Sequence, residues 1–289
     1  MGTPAGGILP ISYDSSNSTK AITEKLRKLE GTYAVAFKDL TTQTTLFINA
    51  DTSFHAASTM KTPVLIEVYK QAAAGRLSLQ DSILVKNEFH SIVDSSTYSL
   101  NPDDDSEKKL YTLIGTKRTL YDLVYDMIIM SSNLATNIVI ELVEAKKVTQ
   151  TMRDLGANSI QVRRGVEDSK AYQQGLNNTT TALDQLVIFE KIATGQAVDS
   201  ASSQAMIKIL LDQQFNEVIP ARLPKEVKVA HKTGNITGVQ HDAGIVFLPD
   251  GRKYVLVILS KGIKNEKAAI TAMAGVSELI YQYVTSQVR

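Results

Sequence analysis

Strand-like segments at both ends of this 289-residue chain constrain its fold more than any other feature. Near the start, residues 32–40 and 45–49 have the composition of two strands joined by a short polar turn. Near the end, residues 227–232, 242–248 and 253–260 have the same character, and Pro-Asp-Gly predicts a hairpin turn between the last two. Five such strands favour one antiparallel sheet built from both ends of the chain.

The residues between the two groups of strands have a mainly helical pattern. Helices are predicted from the spacing of apolar residues and from capping residues over 18–29, from His55 to Gly75, from Thr119 onward with capping-box spacing to Asp122, and over 133–145, 181–193 and 265–288. Residues 91–112, rich in Ser and Asp, are predicted to be a surface excursion with no core of their own, and residues 157–178 to be a loop.

These elements predict an α/β (α+β) fold: a five-stranded antiparallel sheet, flanked by the N- and C-terminal helices, with an inserted all-helical domain. The expected division assigns residues 17–56 and 215–289 to the sheet domain and residues 57–214 to the helical domain.

Composition excludes several classes of function. The formal net charge of +1 argues against a broad nucleic-acid interface, and no apolar run approaches the roughly 20 residues of a membrane-spanning helix. The chain has no cysteine, which excludes a cysteine nucleophile. Its four histidines lack the spacing of a zinc hydrolase, so we expect neither a metal nor another cofactor.

A possible nucleophile lies in the segment Ser58-Thr59-Met60-Lys61. If a helix begins near Ala57, the side chains of Ser58 and Lys61 share one face, and a lysine kept neutral by burial could take the serine proton. Pro63 does not suit such a helix, because past the first turn it removes a helical hydrogen bond. Taken alone, a serine and a lysine at this spacing also occur by chance.

Two further motifs follow in the chain. Ser131-Ser132-Asn133 lies between two predicted helices, where Ser131 could relay a proton and Asn133 could donate an amide; simple helix capping also explains it. Lys232-Thr233-Gly234 follows a predicted strand and suits a substrate carboxylate and carbonyl, although an ordinary turn is the simpler interpretation.

The three motifs in this order resemble those of the serine β-lactamases and penicillin-binding proteins, and of class A β-lactamases most closely. The segments MSSNLATN, HKTGNITGVQHDAGIVFLPDG and TTTALD carry the resemblance, which covers nearly the whole chain from residue 18. It implies acylation of Ser58, a base role for Lys61, proton transfer by Ser131, and substrate contacts from Asn133, Lys232, Thr233, Gly234 and Asn235. The backbone N–H groups of Ser58 and Asn235 would form the oxyanion hole.

The chain departs from the class A pattern in the loop that carries the deacylating glutamate. Glu167 stands three residues after Arg164 instead of two, Ala171 replaces an expected Asn, and Asn178 replaces an Asp that closes the loop. Glu167 is the predicted deacylation base, with an ordinary solvated carboxylate as the alternative. Ser132 replaces the Asp of the second motif, where we expect altered local hydrogen bonding.

The resemblance predicts a hydrolase of the β-lactam amide whose partner is a small β-lactam or an acyl-D-Ala-D-Ala-like substrate. A D-alanyl-D-alanine peptidase or esterase with slow β-lactam turnover is the main alternative, and a penicillin sensor is a third. We expect a monomer that binds no nucleic acid. The first residues lack the pattern of a signal peptide, so a periplasmic or secreted location presumes that the signal was removed.

Overall fold

The computed structural model describes residues 15–287, and its centre is a five-stranded antiparallel sheet in the order β2-β1-β11-β10-β9. The strands of the whole structure are β1 (Thr32–Asp39), β2 (Thr45–Ile48), β3 (Phe54–His55), β4 (Ser82–Leu84), β5 (Phe89–His90), β6 (Thr97–Tyr98), β7 (Lys117–Thr119), β8 (Thr179–Thr180), β9 (Lys228–Ile236), β10 (Val239–Phe247) and β11 (Lys253–Lys261). The strands from the two ends of the chain meet where β1 pairs with β11, with Val35 opposite Ile258. The predicted sheet is therefore confirmed.

Nine helices surround the sheet within residues 15–287. They are α1 (Ser15–Arg27), α2 (Lys61–Ala73), α3 (Leu120–Ile129), α4 (Asn133–Val143), α5 (Ala145–Asp154), α6 (Ser169–Gln173), α7 (Ala182–Ala193), α8 (Ser200–Leu211) and α9 (Glu266–Ser286). Short 3₁₀ helices cover Ala57–Met60, Pro102–Asp104, Lys109–Leu113 and Pro220–Arg222.

The two faces of the sheet carry two separate apolar cores, because successive side chains of a strand point to opposite faces. Val35 and Phe37 of β1 pack with Ile22 of α1 and Met273 of α9. Ala34 and the other residues of the opposite face pack with the helices of the chain's middle part. The helical insertion thus rests on one face of the sheet, and the terminal helices cover the other.

The helices of the structure differ from the predicted ones in a few places. The helix predicted over residues 133–145 ends at Val143, because Glu144 has a positive φ of 67°, and α5 starts immediately afterwards. Helices α5 and α8 were not predicted, and α6 lies within residues 157–178, which were predicted to be a loop. Residue 288, the end of the last predicted helix, lies outside the described residues.

Residues 91–112 form no separate core, but apolar residues anchor the segment to the rest of the protein. Leu100 and Leu110 are buried in the larger core, and β6, inside the segment, pairs with β5 just before it. A second ribbon, β4 with β7, also lies in the insertion. Asn101 caps the 3₁₀ helix Pro102–Asp104, and Asp94 and Asp105 accept from nearby turn N–H groups, so the polar composition of the segment concealed its apolar anchors.

No helix within residues 15–287 is long and apolar enough to cross a membrane. The structure does not test the boundaries of the two predicted domains, which remain a prediction.

Removing the cap of α3 tests the predicted capping residue. The Thr119 hydroxyl accepts a hydrogen bond from the Asp122 backbone N–H at 3.1 Å, as the sequence predicts. Thr119→Ala should lower the free energy of unfolding by about 1 kcal/mol in urea denaturation. The control is Thr116→Ala, because the exposed Thr116 hydroxyl bonds only a turn carbonyl; its change should stay within about 0.5 kcal/mol. Equal losses in both variants would contradict the capping role.

Candidate active site

Ser58 lies in the 3₁₀ helix Ala57–Met60, which runs directly into α2 at Lys61. Ser58 is half-buried and Lys61 is fully buried. Ala57, just before Ser58, has a positive φ of 44°, a conformation that costs free energy in a non-glycine residue. Because α2 begins at Lys61, Pro63 falls in its first turn, where backbone N–H groups have no helical acceptor. The difficulty that the sequence raised about Pro63 is thereby removed.

The Lys61 amine is held by the link between α3 and α4. Its Nζ lies 2.6 Å from the Ser131 carbonyl oxygen, 3.2 Å from the Ser131 hydroxyl and 3.1 Å from Asn133 Oδ1. Burial lowers the pKa of Lys61 to about 7, although the charges of Asp105 and Glu167 act to raise it. A neutral amine is therefore accessible near neutral pH. Of its three partners only the Ser131 hydroxyl can donate a proton back to it.

A second lysine, Lys232 of the sheet, also forms a hydrogen bond with Ser131. Lys232 Nζ donates to the Ser131 hydroxyl at 3.1 Å and to the Thr233 carbonyl oxygen at 2.9 Å. Lys232 is fully buried, and burial lowers its pKa well below the ordinary value; the charge of Lys61 acts in the same direction and Asp242 opposes it. Ser131 itself has a positive φ of 56°. One hydroxyl therefore joins two buried amines, an arrangement suited to proton transfer.

A cavity of about 240 Å³ opens onto these groups. Its lining contains Ser58, Ser131, Asn133, Thr233, Gly234 and Asn235 from the three motifs, together with Asp104, Ser106 and Phe215. The two buried lysines lie behind this wall. The cavity therefore brings together the three motifs, whose Lys61 and Lys232 lie 70 and 101 residues from Ser131 along the chain.

The edge strand β9 forms one wall of the cavity and approaches the nucleophile closely. A side-chain carbon added at Gly234 would lie only 3.2 Å from the backbone nitrogens of Ser58 and Thr59. Glycine at this position thus lets the strand run close to the start of the 3₁₀ helix. The third motif lies inside β9, whereas the sequence placed it after the end of a strand.

Glu167 lies next to this cavity but does not line it. It is exposed, has a positive φ of 62°, and borders a neighbouring cavity of about 300 Å³ that also contains Ile236 and Thr237. Its charge is nevertheless close enough to raise the pKa of Lys61. The adjacent Asp168 is buried and caps α6, so of these two neighbouring carboxylates only Glu167 is exposed.

The Glu167 loop is closed by amides instead of an ion pair. Asn178 Oδ1 accepts from the backbone N–H groups of Arg163 and Arg164, and its Nδ2 donates to the Arg164 carbonyl oxygen. The Arg164 side chain donates to carbonyl oxygens of Gly165 and Leu176. Asparagine at position 178 therefore ties the loop ends together through neutral hydrogen bonds.

Asn137 of α4 fixes the loop next to Glu167. Its Oδ1 accepts from the Val166 N–H at 2.6 Å and its Nδ2 donates to the Val166 carbonyl oxygen at 3.0 Å. A side-chain carbon at Gly165 would lie 2.3 Å from the Asn137 amide oxygen, so glycine allows this approach. The sequence analysis missed Asn137, although it is part of the segment MSSNLATN that carried the resemblance.

Asp105 is a second residue that the sequence analysis missed. It is buried, and its carboxylate accepts from the first backbone N–H groups of α4, those of Asn133 and Leu134. The polar residues around Asp105 in the sequence gave no sign of these contacts.

Within residues 15–287 no cluster of three or more His, Cys, Asp or Glu residues could hold a metal ion.

Comparisons with known proteins agree with this geometry. A sequence model described as the beta-lactamase enzyme family matches residues 17–284. Beta-lactamase VEB-1 of Pseudomonas aeruginosa is 23% identical over 283 residues, with 93% of this chain and 91% of VEB-1 covered. A beta-lactamase structure from Sphaerobacter thermophilus DSM 20745 gives a TM-score of 0.81 at 26% identity, covering 96% of this chain and 100% of that one. PBP-A gives 0.82 at 26% identity with the same coverage, and one of its mutants was solved as an acyl-enzyme complex with penicillin G.

Truncating Asn137 should loosen the Glu167 loop without unfolding the protein. Asn137→Ala removes both side-chain bonds to Val166 and leaves the Val166 N–H without its acceptor, which costs about 1–3 kcal/mol. Hydrogen exchange of the loop amides should speed up accordingly, by about 5- to 100-fold. Gln173→Ala, which removes an exposed amide of the same loop, is the control. Unchanged loop exchange in Asn137→Ala would show that other contacts hold the loop.

Proposed function

Because the chain belongs to the beta-lactamase enzyme family and is a serine β-lactamase-like hydrolase, we propose that it opens β-lactam rings through an acyl-enzyme on Ser58 and then hydrolyses that ester. The observation that carries the proposal is the Ser131 hydroxyl, which is hydrogen-bonded by both Lys61 and Lys232 at the wall of the cavity that contains Ser58.

In the acylation step Lys61 takes the proton of Ser58 as the Ser58 oxygen attacks the β-lactam carbonyl carbon. The ring C–N bond then breaks, and Ser131 passes a proton to the leaving nitrogen while it receives one from the Lys61 ammonium. The lowered pKa of Lys61, about 7, supports its role as base, since a base is most effective when its pKa is near the working pH. The hydrogen bond from Lys61 to the Ser131 hydroxyl supports the relay.

The carbonyl oxygen of the substrate becomes negatively charged during attack. We assign its stabilisation to the backbone N–H groups of Ser58 and Asn235, because fixed donors aimed at developing charge lower the barrier. The close approach of Gly234 to the Ser58 nitrogen supports this assignment, since it brings β9 to the nucleophile. Asn133, which lines the same cavity, would donate its side-chain amide to the substrate.

The substrate carboxylate is assigned to the β9 side of the cavity. Thr233 lines the cavity and supplies the direct contact through its hydroxyl, together with the backbone beside Gly234. Lys232 is fully buried behind it and holds Ser131 and Thr233. A carboxylate bound nearby would favour the protonated form of its amine, and the resulting positive charge would attract that carboxylate.

Deacylation is assigned to Glu167, which would activate the water that attacks the Ser58 ester. Two features support it: Glu167 influences Lys61 electrostatically, and the adjacent Asp168 is occupied as a helix cap. The exposed position of Glu167 outside the Ser58 cavity implies slow deacylation. The comparisons do not favour the D-alanyl-D-alanine peptidase or esterase.

We further propose a monomer located in the periplasm or secreted, where a β-lactam first reaches a cell and where its destruction confers antibiotic resistance. The residues around the cavity all come from one chain, so the proposed chemistry does not need a second copy.

The charge of Lys232 can be tested by comparing substrates. Lys232→Ala, and Lys232→Met with a side chain of similar length, should slow acylation by carboxylate-bearing β-lactams about 10- to 100-fold more than acylation by neutral esters. Stopped-flow acylation rates measure this. Lys228→Ala, which removes an exposed lysine of the same strand, should act equally on both substrates. Equal losses on both substrates in the Lys232 variants would exclude carboxylate attraction.

The role of Glu167 can be tested by the lifetime of the acyl-enzyme. Glu167→Gln should leave acylation within a few-fold of wild type and slow deacylation about 10²- to 10⁴-fold, followed by intact-mass measurement after a penicillin pulse. Glu144→Gln is a matched control, because Glu144 is also an exposed glutamate with a positive φ, 67°. A wild-type deacylation rate in Glu167→Gln would remove Glu167 from the mechanism.

A further inference from the structure

Asp105 is a buried carboxylate that joins the segment before the 3₁₀ helix Lys109–Leu113 to the start of α4. Its Oδ2 accepts from the backbone N–H groups of Asn133 and Leu134, both at 2.9 Å, and from the Tyr111 hydroxyl at 2.9 Å. Its Oδ1 accepts from the Glu107 N–H at 3.1 Å. Its exposed fraction is 5%. A buried carboxylate with four donors is held in one position and in turn fixes the groups that donate to it.

The position of these contacts is significant because of a neighbouring substitution. Ser132 stands where the resemblance led us to expect an aspartate of structural role, and its hydroxyl accepts only from the Ala135 N–H. The first two N–H groups of α4 would then lack a side-chain acceptor, and Asp105 supplies it from another part of the chain. Next to it, the Ser106 hydroxyl donates to the Met130 carbonyl oxygen. Residues 105–106 therefore form hydrogen bonds with the backbone on both sides of Ser131.

The groups that accept hydrogen bonds from Lys61 belong to the backbone segment that Asp105 and Ser106 hold in place. Ser131 contributes its carbonyl and hydroxyl oxygens, and Asn133 contributes Oδ1. We propose that Asp105 is a positioning residue for acylation, which replaces the missing aspartate of the second motif: it fixes Ser131 and Asn133 around the Lys61 amine and supplies the negative charge beside that amine. The inference rests on the proposed function of Lys61 as base.

The charge of Asp105 should affect the pKa of Lys61, which a purely structural role for Asp105 would not do. Burial lowers the pKa of Lys61 to about 7, and Asp105 and Glu167 are the carboxylates that oppose this shift. Lys232, on β9, is the neighbouring lysine, whose pKa burial also lowers, and Ser131 and Asn133 are uncharged. Removing the Asp105 charge removes one of the two charges that raise the pKa of Lys61. Lys61 should therefore lose its proton at a lower pH.

Asp105→Asn tests this, because it keeps the size of the side chain and an acceptor for the N–H groups of α4. The first measurement is the titration of the Lys61 amine by nuclear magnetic resonance on protein with ¹⁵N-labelled lysine, assigned by its loss in Lys61→Arg. The midpoint should move down by about half a pH unit or more relative to wild type. Adding Ser132→Asp to Asp105→Asn should return it toward the wild-type value. The control is Asp103→Asn, since Asp103 is exposed and pairs only with Lys108 at the surface; its midpoint should not change.

The second measurement is the pH dependence of acylation by a penicillin. In wild type the rate should rise with pH through the Lys61 midpoint, because the amine must be neutral to accept a proton. In Asp105→Asn this rise should shift to lower pH, with a plateau at least about tenfold lower because Ser131 and Asn133 are less well placed. An unshifted Lys61 midpoint in Asp105→Asn would overturn the inference, even if acylation of the wild type succeeds. A shifted midpoint in a protein that penicillin does not acylate would support the placement of Asp105 and refute the proposed function instead.

Discussion

The buried amine of Lys61 joins the segment that carries Ser58 to the link between α3 and α4. It projects from the first turn of α2, next to the 3₁₀ helix of Ser58, and bonds the Ser131–Asn133 link between α3 and α4. Burying a lysine is costly unless its donors are satisfied or it becomes neutral. Here three acceptors satisfy it and burial lowers its pKa to about 7. Since the unfolded chain holds this proton to higher pH, the cost falls as pH rises from about 7 toward the ordinary lysine range.

The sheet supplies the opposite wall and the second lysine. Edge strand β9 places Lys232 against the Ser131 hydroxyl, while Gly234 lets the strand approach the nitrogen of Ser58. Ala57, Ser131 and Glu167 all have positive φ angles although none is glycine. Such conformations persist only where surrounding contacts enforce them, and they are common at functional sites. The site is therefore built from strained residues that two rigid layers hold in place.

Local patterns in the sequence were sufficient for the sheet, most helices and the three motifs. Strand alternation, apolar spacing and the capping pair Thr119–Asp122 each depend on residues close together in the chain. Contacts between distant residues could not be derived in this way. Asp105 caps a helix 28 residues away, and Asn137 holds Val166 across 29 residues, so neither leaves a spacing pattern. The polar segment that contains Asp105 was taken for a surface excursion for the same reason: its anchors are two leucines separated by ten residues.

Glu167 illustrates the remaining limit of pattern-based inference. The shifted spacing around Arg164 indicated a rebuilt loop, and the structure closes that loop through Asn178 and Asn137 instead of an ion pair. The resulting position of Glu167, exposed and in a neighbouring cavity, could not be derived from residue types alone. In the proposed mechanism, this position of Glu167 determines how long an acyl-enzyme survives.

The account depends on Ser58 as the nucleophile, and intact-mass spectrometry over time with a penicillin tests this most directly. The wild-type protein should gain one penicillin mass, located by peptide mapping on Ser58, and this adduct should disappear with time. Ser58→Ala should show no adduct at any time. An adduct on another residue, or one that persists in Ser58→Ala, would contradict the account.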